Sequence, residues 1–474
     1  MGANRSLPNS VQGTAALPVI ILLIFSGLFY SAWNPTYFGL LVWVAAVDYK
    51  IALRIYAAKT DSKRKFLLIL SLSNSLGILF FFKYFGFFQE NLLETLHILG
   101  LSAHFEIIRI LLPVGISFYV FQSVSYIVDV YRRNILPEKN LSHYLLFLSF
   151  FPQLVAGPIV NAKSFLPQLK NLLPFSEIRW NFALFLILLG AFKKVVIADH
   201  LAITSDFSFS HVGEVNREFL WIGLLSYAGQ IYCDFSGYTD IAQGTALMFG
   251  FELPENFRMP YLARGFSDFW RRWHISLSDW LKNYLYIPLG GNRAAKLGIY
   301  KNLMVVMLLG GLWHGANWNF LFWGAGHGFL LVCERLVRNL NINTKYLEIR
   351  LLMPIYHFMY TALTFLCVCF LWVFFRSQNF SDSLCYLQGL FVKNADISIP
   401  YAQLMTTYWC FFAMIVGHII GQKIFKNNES LSMKFDAMEQ TAVKKIALGA
   451  LYSLGFIAVV LMSGNALPFV YFVF

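Results

Sequence analysis

Apolar windows long enough to cross a bilayer recur along this chain from end to end, and no other feature limits its possible folds as strongly. A helix needs about 20 mainly apolar residues to span a hydrocarbon core about 30 Å thick. Leu17 to Trp33, Tyr37 to Leu53, Phe66 to Phe82, Leu111 to Val130, Phe182 to Ala198 and Leu220 to Phe251 offer such windows in the first half. Leu303 to Trp313, Phe320 to Val332, Leu351 to Phe375, Tyr408 to Ile420 and Ile446 to Met462 follow. Composition agrees: of 474 residues 58% are hydrophobic and 13% charged, against roughly 45–50% and about 25% in soluble domains. The expectation is an all-α integral membrane protein, a polytopic bundle of about eleven spans in one domain covering residues 1–474. With no repeat or linker visible, a separate soluble domain is not expected.

Charge sets the topology. The net charge of +12 would raise nucleic acid as a partner in a soluble protein, but here the positive-inside rule accounts for most of it, and no nucleic acid partner is expected. Lys50, Arg54, Lys59, Lys63, Arg64 and Lys65 form the densest cationic loop of the first third and belong in the cytoplasm. Asn34-Pro35 closes the first window as a tight reversal. The first fourteen residues carry one arginine and lead to a long apolar run without a cleavage site, which reads as an uncleaved first span. The six cysteines lack metal-ligand spacing and read as small buried residues, so no metal site is expected.

Three stretches depart from simple spans. Between Lys83 and Arg109 polar residues interrupt the apolar pattern, as in an interfacial helix, with His97 and His104 solvated. Leu141 to Val160 contains Pro152, Gly157 and Pro158, so that element is expected to break and to be buried against protein. Lys193 and Lys194 end their window and are expected to reach an interface by extending their stems. Leu220 to Phe251 carries Asp234 and Asp240 at membrane depth, where carboxylates must face the bundle interior. Pairing with arginines or a direct part in chemistry are the two readings.

The stretch from Phe269 to Gly328, which begins within a polar, aromatic and basic segment (Glu252 to Lys301) and runs on into an apolar one, holds the sharpest signals. His314 follows eleven residues without charge, Leu303 to Trp313, and a buried imidazole that stays neutral near pH 7 has the form a general base requires. Gly310, Gly311 and Gly315 either admit a thin substrate to it or serve close helix packing. If Ser267 to Leu281 is one helix, His274 shares a face with Trp270, Ser278 and Leu281, with Arg271 and Arg272 alongside. That face either looks into the bundle or binds lipid phosphate at the interface. His327, thirteen residues beyond His314, falls on another face of an ideal helix, so the two make no zinc pair.

These residues carry a resemblance. Phe269 to Ser278, Ile287 to Arg293 and Trp313-His314-Gly315-Ala316-Asn317-Trp318 resemble the membrane-bound O-acyltransferase family, in particular its bacterial alginate O-acetyltransferase-type branch. Leu112 to Tyr119, Phe151 to Pro158, Asp234 to Asp240 and Leu467 to Phe472 match the same branch in the same order. The resemblance implies broken and interfacial helices around a central funnel, and transfer of an acyl group from a cytoplasmic thioester to an acceptor across the membrane. It implies His314 as the near-invariant histidine and His274 as the second polar residue. Trp313, Asn317, Ser278 and Asp234 are the candidates to line the substrate path. Arg271, Arg272 and Arg293 either hold the phosphates of acetyl-CoA or mark the cytoplasmic side only. Acetyl-CoA is the expected donor substrate, with no permanently bound cofactor. The other expected partners are membrane lipid and a separate extracytoplasmic polysaccharide acetyltransferase. The expected location is the bacterial inner membrane.

Overall fold

The computed structural model describes residues 16–340 apart from 102, 103 and 109, and then 352–392, 397–425 and 442–464. The first fourteen residues and the Leu467 to Phe472 match lie outside the described residues. Among these residues the regular elements are helices, with one isolated bridge between Val215 and Ile397. The protein is an all-α polytopic membrane protein. Six described helices are long and apolar enough to cross a membrane, and Leu17–Trp33 and Leu448–Met462 are shorter apolar helices. Two compact units are distinguishable: Met1–Trp180 with Thr245–Leu253, and Asn181–Gly244 with Pro254–Phe474.

In the first unit, α1 (Ala16–Trp33) and α2 (Pro35–Ala57) are joined by Asn34 alone. Its Oδ1 accepts from the amides of Thr36 (2.9 Å) and Tyr37 (3.4 Å), and Pro35 opens α2 where its missing amide is no loss, so the expected reversal is a capped one. The chain from Asp61 to Ile98 is one continuous helix, α3 (Asp61–Leu79) and α4 (Phe85–Ile98) joined by a π-helical turn at Phe80–Tyr84. This corrects the separate interfacial helix expected after Lys83. No proline or capping side chain stops the helix there, and the π turn absorbs one residue without breaking it.

After α5 (Ile116–Tyr131), α6 (Leu141–Ser149) does break as the prolines require, restarting at Phe151–Leu154 as α7. The Nε2 of Gln153 donates to the Phe147 carbonyl (3.2 Å) and the Phe151 amide donates to Ser26 Oγ (3.3 Å), which satisfies groups the break frees. The short α8 (Ala162–Lys170) completes this unit.

In the second unit α9 (Trp180–Ala191) runs through a π turn at Phe192–Ala198 into α10 (Asp199–Ser210). It packs on the 32-residue α11 (Arg217–Met248), whose last four residues belong to the first unit. A Cβ on Gly237 would come within 2.7 Å of the Gly190 carbonyl oxygen, so only glycine permits this approach. At that depth Lys193 Nζ meets Asp240 (2.6 Å), and Lys194 Nζ meets Asp234 (2.8 Å) and Asp199 (2.9 Å). Two expectations are corrected together. The lysines sit in mid-helix rather than at an end, and it is they, not arginines, that pair with the carboxylates. The π turn is the reason, because its wider winding presents consecutive lysines to the same neighbour. Breaking such a buried pair costs about 3–5 kcal/mol through the charge left behind.

The remaining helices are α12 (Phe266–Trp270), α13 (Ile275–Leu281), α14 (Lys296–His314), α15 (Trp318–Asn339), α16 (Leu352–Arg376), α17 (Phe380–Gly389), α18 (Tyr401–Phe425) and α19 (Ala442–Met462). The conditional helix from Ser267 to Leu281 is therefore two short helices with a break at residues 271–274.

Candidate active site

The break places His274. Its backbone is left-handed (φ 43°, ψ 55°) at the start of α13, a conformation a side chain adopts only where surrounding contacts enforce it. Those contacts come from the stretch after α11. The Arg258 amide donates to the Arg272 carbonyl (2.9 Å) and the Ile275 amide to the Asn256 carbonyl (3.0 Å). Asn256 is buried, and its Oδ1 receives the Ser276 amide (3.3 Å), the Ser276 hydroxyl (2.9 Å) and His274 Nδ1 (3.1 Å).

That shared oxygen fixes the tautomer. A backbone amide can only donate, so the atom it meets is the carbonyl oxygen of Asn256, and an oxygen accepts. The proton of neutral His274 is then on Nδ1, and Nε2 presents a lone pair. Nε2 is buried and has no hydrogen-bond partner among the described residues. Burial pushes the pKa of His274 down to about 3, so the ring is neutral at physiological pH. The charged, donor-only form is excluded by the same burial.

His314 ends α14, where Gly315 is extended and Asn317 caps α15 by accepting the Asn319 amide (2.9 Å). It is 7% exposed, against 0% for His274. Its ring lies edge-on to Trp313, Trp323 and Phe375 at 4.9, 5.1 and 5.2 Å between centroids. The two imidazole rings lie 6.5 Å apart between centroids and are tilted by 59°, with Phe235 edge-on to His274 at 4.8 Å and Trp313 edge-on to both. Both imidazoles are buried within this aromatic box, and a site shielded from bulk water strengthens each polar contact inside it.

The other sequence candidates separate. Trp313 is a wall of this box. Asn317 is a helix cap whose Nδ2 donates to the Gln378 carbonyl (3.3 Å). Asp234 is held by Lys194, beside Phe235. Of the three glycines, Gly311 and Gly315 are packed on Phe320, and a Cβ on Gly311 would also come 3.2 Å from the Gly324 Cα; one on Gly310 would meet only Leu281 Cδ1, at 3.3 Å.

Ser278 and Arg293 lie elsewhere, on a cleft of about 780 Å³. Lys282, Arg293 and Arg335 line it with no carboxylate among them, and Leu303, Val306, Met307, Leu331 and Trp270 form its apolar walls. The Ile287 to Arg293 loop shapes its mouth, where Asn292 Oδ1 accepts from Tyr286 (2.9 Å) and Arg335 (3.1 Å). Arg271 and Arg272 do not line the cleft. Both reach Asp268 (3.5 and 3.0 Å), and Arg272 also donates to Gln422 (3.0 Å). The helix break explains the split, because it turns the residue 271–274 face away from that of Ser278.

Residues 137–377, which hold both histidines, the cleft and the α14–α15 hairpin, match the membrane-bound O-acyltransferase family. The chain belongs to that family. A probable alginate O-acetylase of Pseudomonas syringae is 43% identical over 366 residues, covering 76% of this chain and 67% of that protein. A peptidoglycan O-acetyltransferase of Helicobacter pylori is 39% identical over 401 residues, 79% of this chain and 73% of its own. More distantly, a teichoic acid D-alanyltransferase of Bacillus subtilis is 28% identical over 280 residues, 56% and 69% of the two chains. The protein is thus an acyltransferase, and its family places the paired histidines within an acyl-transfer fold.

Asn256, Trp323, Phe375 and Arg335 were not legible as site residues in the sequence. Asn256 sits in an irregular stretch and acts through the αL turn at His274, which no periodicity announces. Arg335 lies on the face of α15 that carries Leu331, and that spacing is the one signal that points to it.

Proposed function

We propose that this chain is an O-acetyltransferase that carries acetyl from cytoplasmic acetyl-CoA to an acceptor hydroxyl, in the service of O-acetylating a cell-envelope or exported polysaccharide. The observation that carries the reading is the pair of buried imidazoles 6.5 Å apart, one of them locked with its lone pair inward. His314 takes the proton of the acceptor hydroxyl as its oxygen attacks the thioester carbonyl. The C–S bond then breaks, the thiolate leaves with that proton, and the products are an acetyl ester and free thiol. Of two possible parts for His274, orienting the reacting groups or donating to the developing oxyanion, a bare Nε2 suits the first, as a hydrogen-bond acceptor. Its Nε2 accepts from another N–H or O–H of the bound substrates and so orients them, because the one proton of the attacking hydroxyl goes to His314. The phosphates of the donor sit at Lys282, Arg293 and Arg335, Arg being suited to bidentate phosphate contacts, and the thioester arm reaches inward.

Two relatives act by name on alginate or peptidoglycan, which supports a polysaccharide as the final acceptor. A separate extracytoplasmic acetyltransferase is the expected recipient of the acetyl group, and the inner membrane the expected location. Purified protein in detergent is expected to release free thiol from acetyl-CoA, and His314→Ala to lose this activity while inserting normally. Unchanged turnover in His314→Ala would remove the base assignment. Sidedness has its own check. Arg293→Cys in a cysteine-free background is expected to react with an impermeant thiol reagent only after the membrane is opened; labelling from outside would end the cytoplasmic-donor reading.

A further inference from the structure

α14 and α15 form an antiparallel pair in close contact, Gly311 against Gly324 and Met307 against Gly328. Residues three and four apart share a helix face. On α14 that face carries Leu303, Met307, Gly310 and His314, and on α15 it carries Arg335, Leu331, His327 and Trp323. The outer members of both rows line the cationic cleft, and the inner members, His314 and Trp323, touch each other. Gly310 and His327 therefore lie between the cleft and the reacting histidine. The cleft ends on Trp270, which stands edge-on to His327 at 5.0 Å.

His327 is fully buried and anomalous. Phe269 lies parallel to its ring (6.0 Å) and Trp323 edge-on (4.7 Å). Neither ring nitrogen has a hydrogen-bond partner among the described residues, and neither does Trp270 Nε1 beside it. A buried polar group without a partner is costly and demands an explanation, because replacing it by an apolar ring would remove the cost. A resident water needs two to four polar partners, and these walls are aromatic.

We infer that His327 is a donor-binding residue, which hydrogen-bonds an amide of the thioester donor's arm where it passes from the cationic cleft to His314, with Trp270 turning aside to admit it. This rests on the thioester-donor reading above. Neutral imidazole offers one donor and one acceptor, which is what a secondary amide asks for. Length agrees. Arg335 to Trp323 is twelve residues, about 18 Å of helix, and a phosphopantetheine arm extends about 15 Å, at roughly 3.5 Å for every three chain bonds.

The test compares acetyl-CoA with S-acetylpantetheine, which has the amides and no phosphate, in thiol-release assays on the purified protein. His327→Phe keeps the ring stack and removes both nitrogens. It is expected to raise KM for both donors about tenfold, the worth of one hydrogen bond, with kcat little changed and the melting temperature not lowered. Arg335→Met is expected to raise KM for acetyl-CoA only. His327→Asn keeps a donor and an acceptor on a shorter stem and is expected to raise KM for both donors about threefold; it decides the matter if the phenylalanine variant does not accumulate. Unchanged KM for both donors in the folded variants, or a loss of melting temperature with unchanged KM, overturns the assignment and leaves His327 a packing residue. Wild-type protein inert toward both thioesters would instead overturn the proposed donor, and this inference with it.

Discussion

Each unit buries a polar group among its helices, and the two are treated differently. In the first, Asp48 on α2 is 0% exposed, with no ion-pair partner among the described residues. Its oxygens accept from the hydroxyls of Ser71 and Ser75 on α3 and Ser123 on α5, and Ser123 is also bonded to the Tyr144 hydroxyl of α6 at 2.7 Å, so three helices meet at one carboxylate, both of whose oxygens are engaged, and a fourth is tied in through Ser123. In the second unit His274 is equally buried, yet only Nδ1 is engaged and Nε2 is left with a bare lone pair. A completed network specifies how helices pack. On the function proposed above, a substrate group supplies the partner that the incomplete one lacks. The same amount of burial thus means architecture in one place and chemistry in the other.

The contrast can be broken most decisively at the open site. His274→Ala is expected to cut acetyl transfer by about 10²-fold, the usual cost of misplacing a reacting group, while the protein still inserts and folds; wild-type kinetics in that variant would make the two sites alike. Asn256→Leu leaves the imidazole in place but frees its tautomer and tilt. A loss of roughly tenfold to a hundredfold in kcat with KM for acetyl-CoA unchanged is the expected result, and a KM effect alone would show that Asn256 holds the donor rather than the ring.

At the closed site the order of effects reverses. Asp48→Ala strands three hydroxyls and is expected to lower stability by about 1–3 kcal/mol, read as a fall in melting temperature in detergent, with specific activity of the surviving folded protein intact. Asp48→Asn, which can still accept, should cost less. A selective loss of turnover in either would mean that the Asp48 cluster also takes part in the reaction.

The most gradual effect is a pH slope. Folded His274 resists protonation down to about pH 3, against an ordinary value of 6.5. Between those values an unfolded chain takes up a proton that the folded one refuses, so stability falls as pH falls, by about 1.4 kcal/mol per pH unit for one such group. His274→Gln is expected to flatten the melting-temperature profile between pH 6.5 and 4. An equal slope in wild type and variant would show that His274 reaches water in the folded protein.

Much of this molecule was determined by local sequence. Apolar windows of span length, the Asn34-Pro35 reversal and the proline break after α6 follow from hydrophobicity, capping and the missing proline amide, which act over a few residues. His274 and His314 stood out for the same local reason, imidazoles amid apolar or basic runs. Other features were decided only by tertiary structure. Which cations neutralise Asp234 and Asp240 depended on a π turn that no residue type marks. The division of the arginines between Asp268 and the cleft depended on a helix break enforced from Asn256. The tautomer of His274 followed from a backbone amide two residues away sharing one side-chain oxygen with it. Each of these turns on which groups meet across helices, and hydrophobic periodicity, which records only how often a side chain faces lipid or protein, carries no information about the partner it finds there.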